Sequence, residues 1–510
     1  MLQHRRLLIN AGMSVVQVLA MGILLWLLYR FLLRAIGIEM LGVWSLTLAT
    51  AVAARAGDLG FSASVVKYVA AYLSRGEPAR AARVIETAML SAAALTGLIA
   101  LAAFPLVRWL LGRLLHDQAL AAARELLPYA LAYLCLSAAA GVFQAALDGL
   151  QRMDIRSVLA ISGEAAHLGL CYWLVPVYGL MGLAYARLLQ TIVFMFVNWV
   201  ALRRCLPELP WLPYRWRGDA FREMMTYGLN AQIVWGISLL HDPLTKSLLA
   251  GFGGAALIGY YEMASRLVNQ LRSVIIAANQ TLVPVIASMQ EQRPEAARQV
   301  YRESYQVIFY FGVPSFAMLA ATLPIISELW IGHYEYWFVL CGTLMAAGWL
   351  GNLLSAPAYF INLGTGELRW NTISHLALGV LNLTAGWLLG KFWGGAGVAA
   401  ANALALIGGG VILIAAHHLK HDIPMRELLP VGSLWLTVAS VCSLFAGTIL
   451  YNQFRAVQGL WPVTGVVVFA SGLLIIVPAW FHPMRKRLSG WIGQSFLRTR
   501  YAGESGGVDE

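Results

Sequence analysis

Gly179-Leu180-Met181-Gly182-Leu183-Ala184-Tyr185-Ala186 has a counterpart, at an offset of 215 in the numbering, in Gly394-Gly395-Ala396-Gly397-Val398-Ala399-Ala400-Ala401. A second pair, Leu41-Gly42-Val43-Trp44 and Ile258-Gly259-Tyr260-Tyr261, is offset by 217. Agreement at two separated places marks an internal duplication, and the surrounding residues show what was duplicated. Apolar stretches of spanning length occur near 9–33, 40–61, 84–110, 125–148, 157–175 and 179–202 in the first half. They recur near 226–250, 254–288, 304–330, 337–362, 370–391 and 394–419 in the second, and two more follow near 428–451 and 460–481. A hydrocarbon core about 30 Å thick takes on the order of 20 residues of α-helix. The expected fold is therefore an all-α polytopic membrane protein of about 14 transmembrane helices. It consists of two six-helix lobes related by internal repeat plus two C-terminal helices.

Composition agrees. Of 510 residues, 59% are hydrophobic and 12% charged, where a soluble domain carries about 25% charged residues. The mean hydropathy is +0.68. The net charge of +11 would suit nucleic acid in a soluble chain, but here it reads as the cytoplasmic excess of Lys and Arg in membrane proteins, and no nucleic-acid partner is expected. Arg5 and Arg6 precede an apolar run too long for a signal peptide and without a small-residue cleavage site, so it reads as an uncleaved first span. The five cysteines have no CxxC spacing and read as packing residues, with neither a disulfide framework nor a zinc site.

Counting Lys and Arg in the connecting segments puts 24 of the 36 on the side of the N-terminus and 7 on the other. The expectation is a multi-pass protein of the bacterial inner membrane with both termini cytoplasmic. Its expected parts are an N-lobe over 1–204, a cytoplasmic linker over 205–225, a C-lobe over 226–420, helices 13 and 14 over 421–481, and a tail over 482–510. Trp109, Trp173, Trp330, Trp393 and Trp480 lie near span ends, as interfacial anchors do. An even number of spans per repeat gives both halves the same orientation, with a site between them near mid-membrane.

Charged side chains within spans are costly and by default functional. The second span carries Arg55 and Asp58; the seventh carries His241, Asp242 and Lys246 around Pro243; the eighth carries Glu262, Arg266 and Arg272. Glu262, Arg266, Asn269, Gln270, Ser273 and Gln280 share one helical face, which suits the wall of a water-filled cavity. Arg272 lies off that face. Arg30 comes late in the first span, where it can also snorkel outward. Glu262 with Arg266 and Asp242 with Lys246 have the i, i+4 spacing of pairs that simply neutralise each other. Glu164, His167 and Arg187 read as buried polar partners rather than ligands. Cations at equivalent places in the two repeats suit an anionic headgroup, because guanidinium grips phosphate oxygens bidentately and keeps its charge. No HExxH, P-loop, metal-ligand cluster or nucleophile elbow is present, and the longest extracytoplasmic loop, near Leu111–Arg124, is too short to carry much chemistry.

The stretch from Leu41-Gly42-Val43-Trp44-Ser45 to Asp58-Leu59-Gly60-Phe61, followed by Lys67-Tyr68-Val69-Ala70 and a basic loop, resembles the opening of polysaccharide flippases. These are the O-antigen-type members of the multidrug/oligosaccharidyl-lipid/polysaccharide exporter superfamily, which are related to the lipid II flippases. Ile258-Gly259-Tyr260-Tyr261, Ala264-Ser265-Arg266-Leu267, Val283-Pro284 and the run Gly394–Ala399 are similar to matching segments of that family. The resemblance covers nearly the whole chain, and its specificity lies in the order and spacing of the motifs. It implies a flippase moving an undecaprenyl-pyrophosphate-type lipid-linked glycan outward, by alternating access around a cationic lumen. That lumen would be lined by Arg30, Arg55, Lys246, Arg266 and Arg272, with Asp58, Asp242 and Glu262 in coupling or charge balance. Arg266 matches the family in its local motif, Arg55 to within about one residue, and Arg30 by helix alone. No cofactor is implied beyond a coupling cation, sodium or proton. The implied partners are membrane lipids, a glycan polymerase and a chain-length regulator. Two other functions compete: a drug/cation antiporter of the same superfamily, which would favour an acidic site, and a membrane-embedded glycan polymerase or glycosyltransferase.

Overall fold

A computed structural model describes residues 2–52, 60–226, 239–280, 294–424, 428 and 432–487. The helices are α1 (Leu2–Ala51), α2 (Phe61–Ser74), α3 (Pro78–Leu114), α4 (Asp117–Gly149), α5 (Met153–Cys205), α6 (His241–Gln280), α7 (Pro294–Trp330), α8 (Tyr336–Leu353), α9 (Ala356–Thr365), α10 (Arg369–Lys420), α11 (Ser433–Gln458) and α12 (Leu460–Phe481). Among the described residues nine helices are long and apolar enough to cross a membrane, so the chain is an all-α, multi-pass membrane protein.

Four helices are two helical segments joined at a bend. The 53 residues of α5 would reach about 80 Å if straight, more than twice the hydrocarbon thickness. Gly179 breaks it at φ 55° and ψ −131°, and Gly394 breaks α10 at φ 58° and ψ −142°. Gly37 breaks α1 at φ 78° and ψ 168°, and Gly254 breaks α6 at φ 77° and ψ 178°. Positive φ of this kind is a glycine conformation. Gly179 and Gly394 stand at the same offset as the small-residue runs they open, and Gly37 and Gly254 at the offset of the second sequence pair. The duplication is thus written in the backbone as well as in the residues.

Two further glycines hold the bends together. A Cβ on Gly42 would run into the carbonyl of Ala255, and one on Gly259 into the carbonyl of Ile38. The two contacts are the same contact seen from each repeat, since Gly259 is the repeat counterpart of Gly42 and Ala255 that of Ile38. Where lipid supplies no hydrophobic drive, such close backbone approach is a main source of helix association. Gly259→Ala is expected to lower stability by about 1–3 kcal/mol, because the backbones must part. Gly97→Ala is the control: nothing lies within 4 Å of a Cβ there. Thermal unfolding of the purified protein in detergent, with a lowered Tm for the first variant only, checks this.

The chain packs as two compact units, Met1–Gln270 with His375–Ala405, and Leu271–Ser374 with Leu406–Glu510. In the first, α2, α3, the end of α4 and the end of α5 enclose an apolar core that includes Phe61, Ile85, Phe143 and Trp199. In the second, Glu328 of α7 takes both Nε and Nη2 of Arg455 of α11 at 2.5 Å and accepts from Tyr451.

Three local expectations change. The tenth span is broken at Leu354-Ser355 into α8 and α9, with Pro357 in the first turn of the latter. Trp330 is no interfacial anchor: it is buried against Phe338, whereas Trp109, Trp173, Trp393 and Trp480 are exposed. Pro243 stands in the first turn of α6, where its missing N–H disturbs no bond within the described helix.

Candidate functional site

The bends at Gly37 and Gly254 place four side chains on one carboxylate. Tyr29 and Ser45 each lie eight residues from Gly37, and Lys246 and Glu262 each lie eight residues from Gly254. In a straight helix, residues 16 apart are separated by about 24 Å, yet Lys246 Nζ is 2.7 Å from Glu262 Oε2, so the chain folds back on itself at Gly254. Tyr29 Oη donates to Glu262 Oε1 at 2.9 Å and Ser45 Oγ to Oε2 at 2.8 Å. Arg266 Nε donates to Oε1 at 2.6 Å. Lys246 also donates to Asp242 Oδ2 at 2.6 Å. Tyr29 is the repeat counterpart of Lys246, and Ser45 that of Glu262. The first repeat therefore contributes neutral donors where the second contributes the charges.

Burial separates the roles. The side chains of Glu262 and Lys246 are only 4% and 6% exposed, whereas those of Arg266 and Asp242 are 50% and 47% exposed. All four line a cavity of about 380 Å³ within the first unit, a size typical of small-ligand sites. Its wall also includes Trp44, Gln270, Tyr133, Glu164, His167 and Arg187. Gln270 donates its amide to the carbonyl of Val18. Arg187 pairs with Glu164 at 2.9 Å across the bend at Gly179 and donates to Tyr133 Oη at 3.3 Å. The described wall therefore sets Glu164, Asp242 and Glu262 against Arg187, Lys246 and Arg266, and each cation touches a carboxylate.

Of the residues singled out from sequence, Asp242, Lys246, Glu262 and Arg266 come together here. Glu164, His167 and Arg187, read as buried partners, pair as expected but also line the cavity. Arg272 lies in the second unit with its guanidinium 4.1 Å above the Trp349 ring, and it is not part of the cavity wall. Arg30 sits over Trp26 at 5.1 Å and is likewise absent from the wall. Arg55 and Asp58 lie outside the described residues. Sequence reading missed Tyr29, Ser45, Trp44 and Tyr133. Tyr29 and Ser45 were within its reach, because subtracting 217 from the numbers of Lys246 and Glu262 lands on them.

The sequence model of a family described as "Polysaccharide biosynthesis protein" matches residues 46–334, more than half of the chain and the segment that holds Glu262 and Arg266. No curated protein matches the sequence significantly. Among solved structures, the chain is similar to a multidrug resistance MATE family transporter of the MOP superfamily in an inward-facing conformation. The TM-score is 0.70 at 14% identity, over 79% of this chain and 94% of that one. It is also similar to the lipid II flippase MurJ in an inward closed conformation, with TM-score 0.67 at 13% identity over 92% and 98%. A third likeness is to a MOP superfamily transporter from Pyrococcus furiosus, described by the reverse polarity of its binding pocket. Its TM-score is 0.53 at 13% identity, over 82% and 94%. At such identities the likeness is one of fold.

Proposed function

The chain belongs to the polysaccharide biosynthesis protein family, and from that premise we propose that it is a flippase rather than an enzyme. Its cargo is a prenyl-pyrophosphate-linked oligosaccharide, carried from the cytoplasmic to the outer leaflet of the bacterial inner membrane by alternating access, with both termini cytoplasmic. The product feeds cell-surface polysaccharide assembly, with a glycan polymerase and a chain-length regulator as partners. The observation that carries this reading is Arg266. Glu262 engages its Nε, while half of the side chain is open to the cavity, so the outer edge of the guanidinium is offered to an anion. Two phosphoryl oxygens fit that edge side by side. Lys246 stands one carboxylate away. Trp44 in the cavity wall supplies an apolar face of the kind that sugar rings stack on.

The test is transport by the purified protein in proteoliposomes loaded with a fluorescent undecaprenyl-pyrophosphate oligosaccharide. Time-dependent exposure of the glycan to an external glycosidase supports the proposal; absence of movement in correctly folded protein ends it.

A second reading has one specific observation behind it. Asp242 offers a half-exposed carboxylate to the cavity, as an exporter of organic cations would. Cation-driven uptake of a fluorescent cationic dye into the same proteoliposomes, with no glycan movement, would favour it.

For energy coupling, Asp242 is the group we assign, with sodium or a proton as its cation. Two readings of the Asp242–Lys246 pair separate in a double substitution. Asp242→Asn is expected to lose transport, and the loss is expected to persist when Lys246→Gln is added. If the second change restores transport, the pair is charge balance only and the coupling role is wrong.

A further inference from the structure

The twelve residues from Leu206 to Arg217 form no helix, yet they are fastened to the first unit along their length. Trp199 Nε1 donates to the carbonyl of Trp211 at 2.9 Å, and Arg203 Nε to the carbonyl of Leu209 at 2.9 Å. Farther on, the backbone N–H groups of Arg215 and Arg217 donate to Glu86 Oε2 and Thr87 Oγ1, both at 3.3 Å. Trp216 Nε1 donates to Ser91 Oγ at 3.0 Å. Within the strap, Leu206 and Leu209 are buried. Its outer face is the opposite of what water favours: Trp211, Leu212, Tyr214 and Trp216 are 71%, 76%, 65% and 54% exposed.

Its height relative to the bilayer follows from the partners. Glu86, Thr87 and Ser91 stand at the start of the apolar stretch of α3, and Trp199 and Arg203 at the end of that of α5. A segment bonded to both lies where the hydrocarbon gives way to headgroups. That depth suits Trp and Tyr. The charge also points outward. Between Arg203 and Arg217 there are four arginines and one acid, Glu208. The guanidinium of Arg203 lies 3.7 Å over the Trp211 ring. Arg215 lies 5.1 Å over Tyr214 and donates to its hydroxyl at 3.0 Å. Each of these cations is thereby held beside an aromatic ring of the strap.

We propose that this strap is a binding surface for anionic phospholipid headgroups, with its aromatic side chains seated in the interface and Arg203, Arg204, Arg215 and Arg217 engaging lipid phosphates. The surface is separate from the cavity and independent of what the cavity carries. Its chemistry is that of a basic juxtamembrane segment, in which each arginine beside an anionic membrane contributes a factor of roughly five to attachment.

The experiment places a bimane probe at Leu212→Cys in otherwise cysteine-free full-length protein, reconstituted in nanodiscs. The discs contain either phosphatidylcholine alone or a mixture with phosphatidylglycerol. Quenching by doxyl-labelled lipid, together with protection from aqueous iodide, is expected in the mixed discs. Arg215→Gln with Arg217→Gln should lower the docked-to-undocked ratio roughly 25-fold, two such factors multiplied. Both arginine side chains are exposed, and the strap's anchors use the backbone N–H groups at these positions, so the variant keeps its fold. Iodide quenching in both kinds of disc would show a strap in water and overturn the proposal. Lipid quenching that ignores phosphatidylglycerol and the arginines would overturn the headgroup recognition. A probe shielded from both quenchers would show the strap covered by protein, its own chain or a second copy, and would also reject it.

Discussion

Arg266→Ala is expected to stop delivery of glycan to the cell surface while leaving the protein folded in the membrane. The side chain is half exposed to the cavity and its Nε is committed to Glu262. Charge-assisted contacts to a pyrophosphate contribute roughly 1.5–3 kcal/mol each, so losing one weakens cargo binding by roughly 10- to 150-fold. Loss of the arginine also leaves Glu262 with three donors, Tyr29, Ser45 and Lys246. Arg266→Lys separates charge from shape. The lysine keeps a positive charge but cannot bind two oxygens in one plane, so partial export is expected. Surface glycan measured against membrane-inserted protein is the readout, and normal export by Arg266→Ala would remove Arg266 from the binding role.

Glu262→Ala is expected to damage the fold itself. The carboxylate is nearly fully buried and receives Lys246, which is nearly as buried. Removing the carboxylate leaves the buried ammonium with only the half-exposed Asp242, and breaking a buried pair costs up to about 3–5 kcal/mol. The bend at Gly254 would lose the contact that closes it. Glu262→Gln should be milder, because an amide still accepts from Tyr29 or Ser45. Adding Lys246→Met to Glu262→Gln removes the under-paired ammonium together with its contact to Asp242, and stability is expected to recover in part. Thermal unfolding in detergent of the wild type, Glu262→Gln, Lys246→Met and the double variant gives the coupling between the two positions. Additive effects would mean that the pair seen at 2.7 Å contributes nothing to the folded state.

The cavity's charge balance bears on both results. A wall whose described cations each touch a carboxylate binds an anion only by sharing or exchanging partners. An arriving pyrophosphate would compete with Glu262 for Arg266, and the three remaining donors on Glu262 make that exchange feasible. The same arrangement explains why Arg266 and Glu262 are predicted to fail differently, one in transport and the other in stability.

Much of this was legible in the residues. Apolar stretches of about 20 residues, separated by Pro and Gly, read as membrane helices, because backbone polar groups in lipid must be satisfied internally and a spanning strand needs only about 9–11 residues. The two repeat offsets, read from short runs of small residues, reappear as paired bends at Gly37 and Gly254 and at Gly179 and Gly394. Local sequence determines these features because glycine conformation and helix length are local properties. Asp242, Lys246, Glu262 and Arg266 were also visible, since charges inside apolar helices stand out.

What only the tertiary structure decided is how those charges are shared. Sequence spacing offers Glu262 to Arg266 and Asp242 to Lys246 as separate i, i+4 pairs, but the fold-back at Gly254 joins them through Lys246. It also brings in Tyr29 and Ser45 from the other repeat. Arg272, six residues beyond Arg266, lies off the polar face by helical periodicity, and only the fold shows its partner, the face of Trp349. The physical reason is range. Hydropathy and backbone preference act over a helical turn or a span, whereas the partner of a buried charge is whatever donor the chain reversals bring within hydrogen-bonding distance.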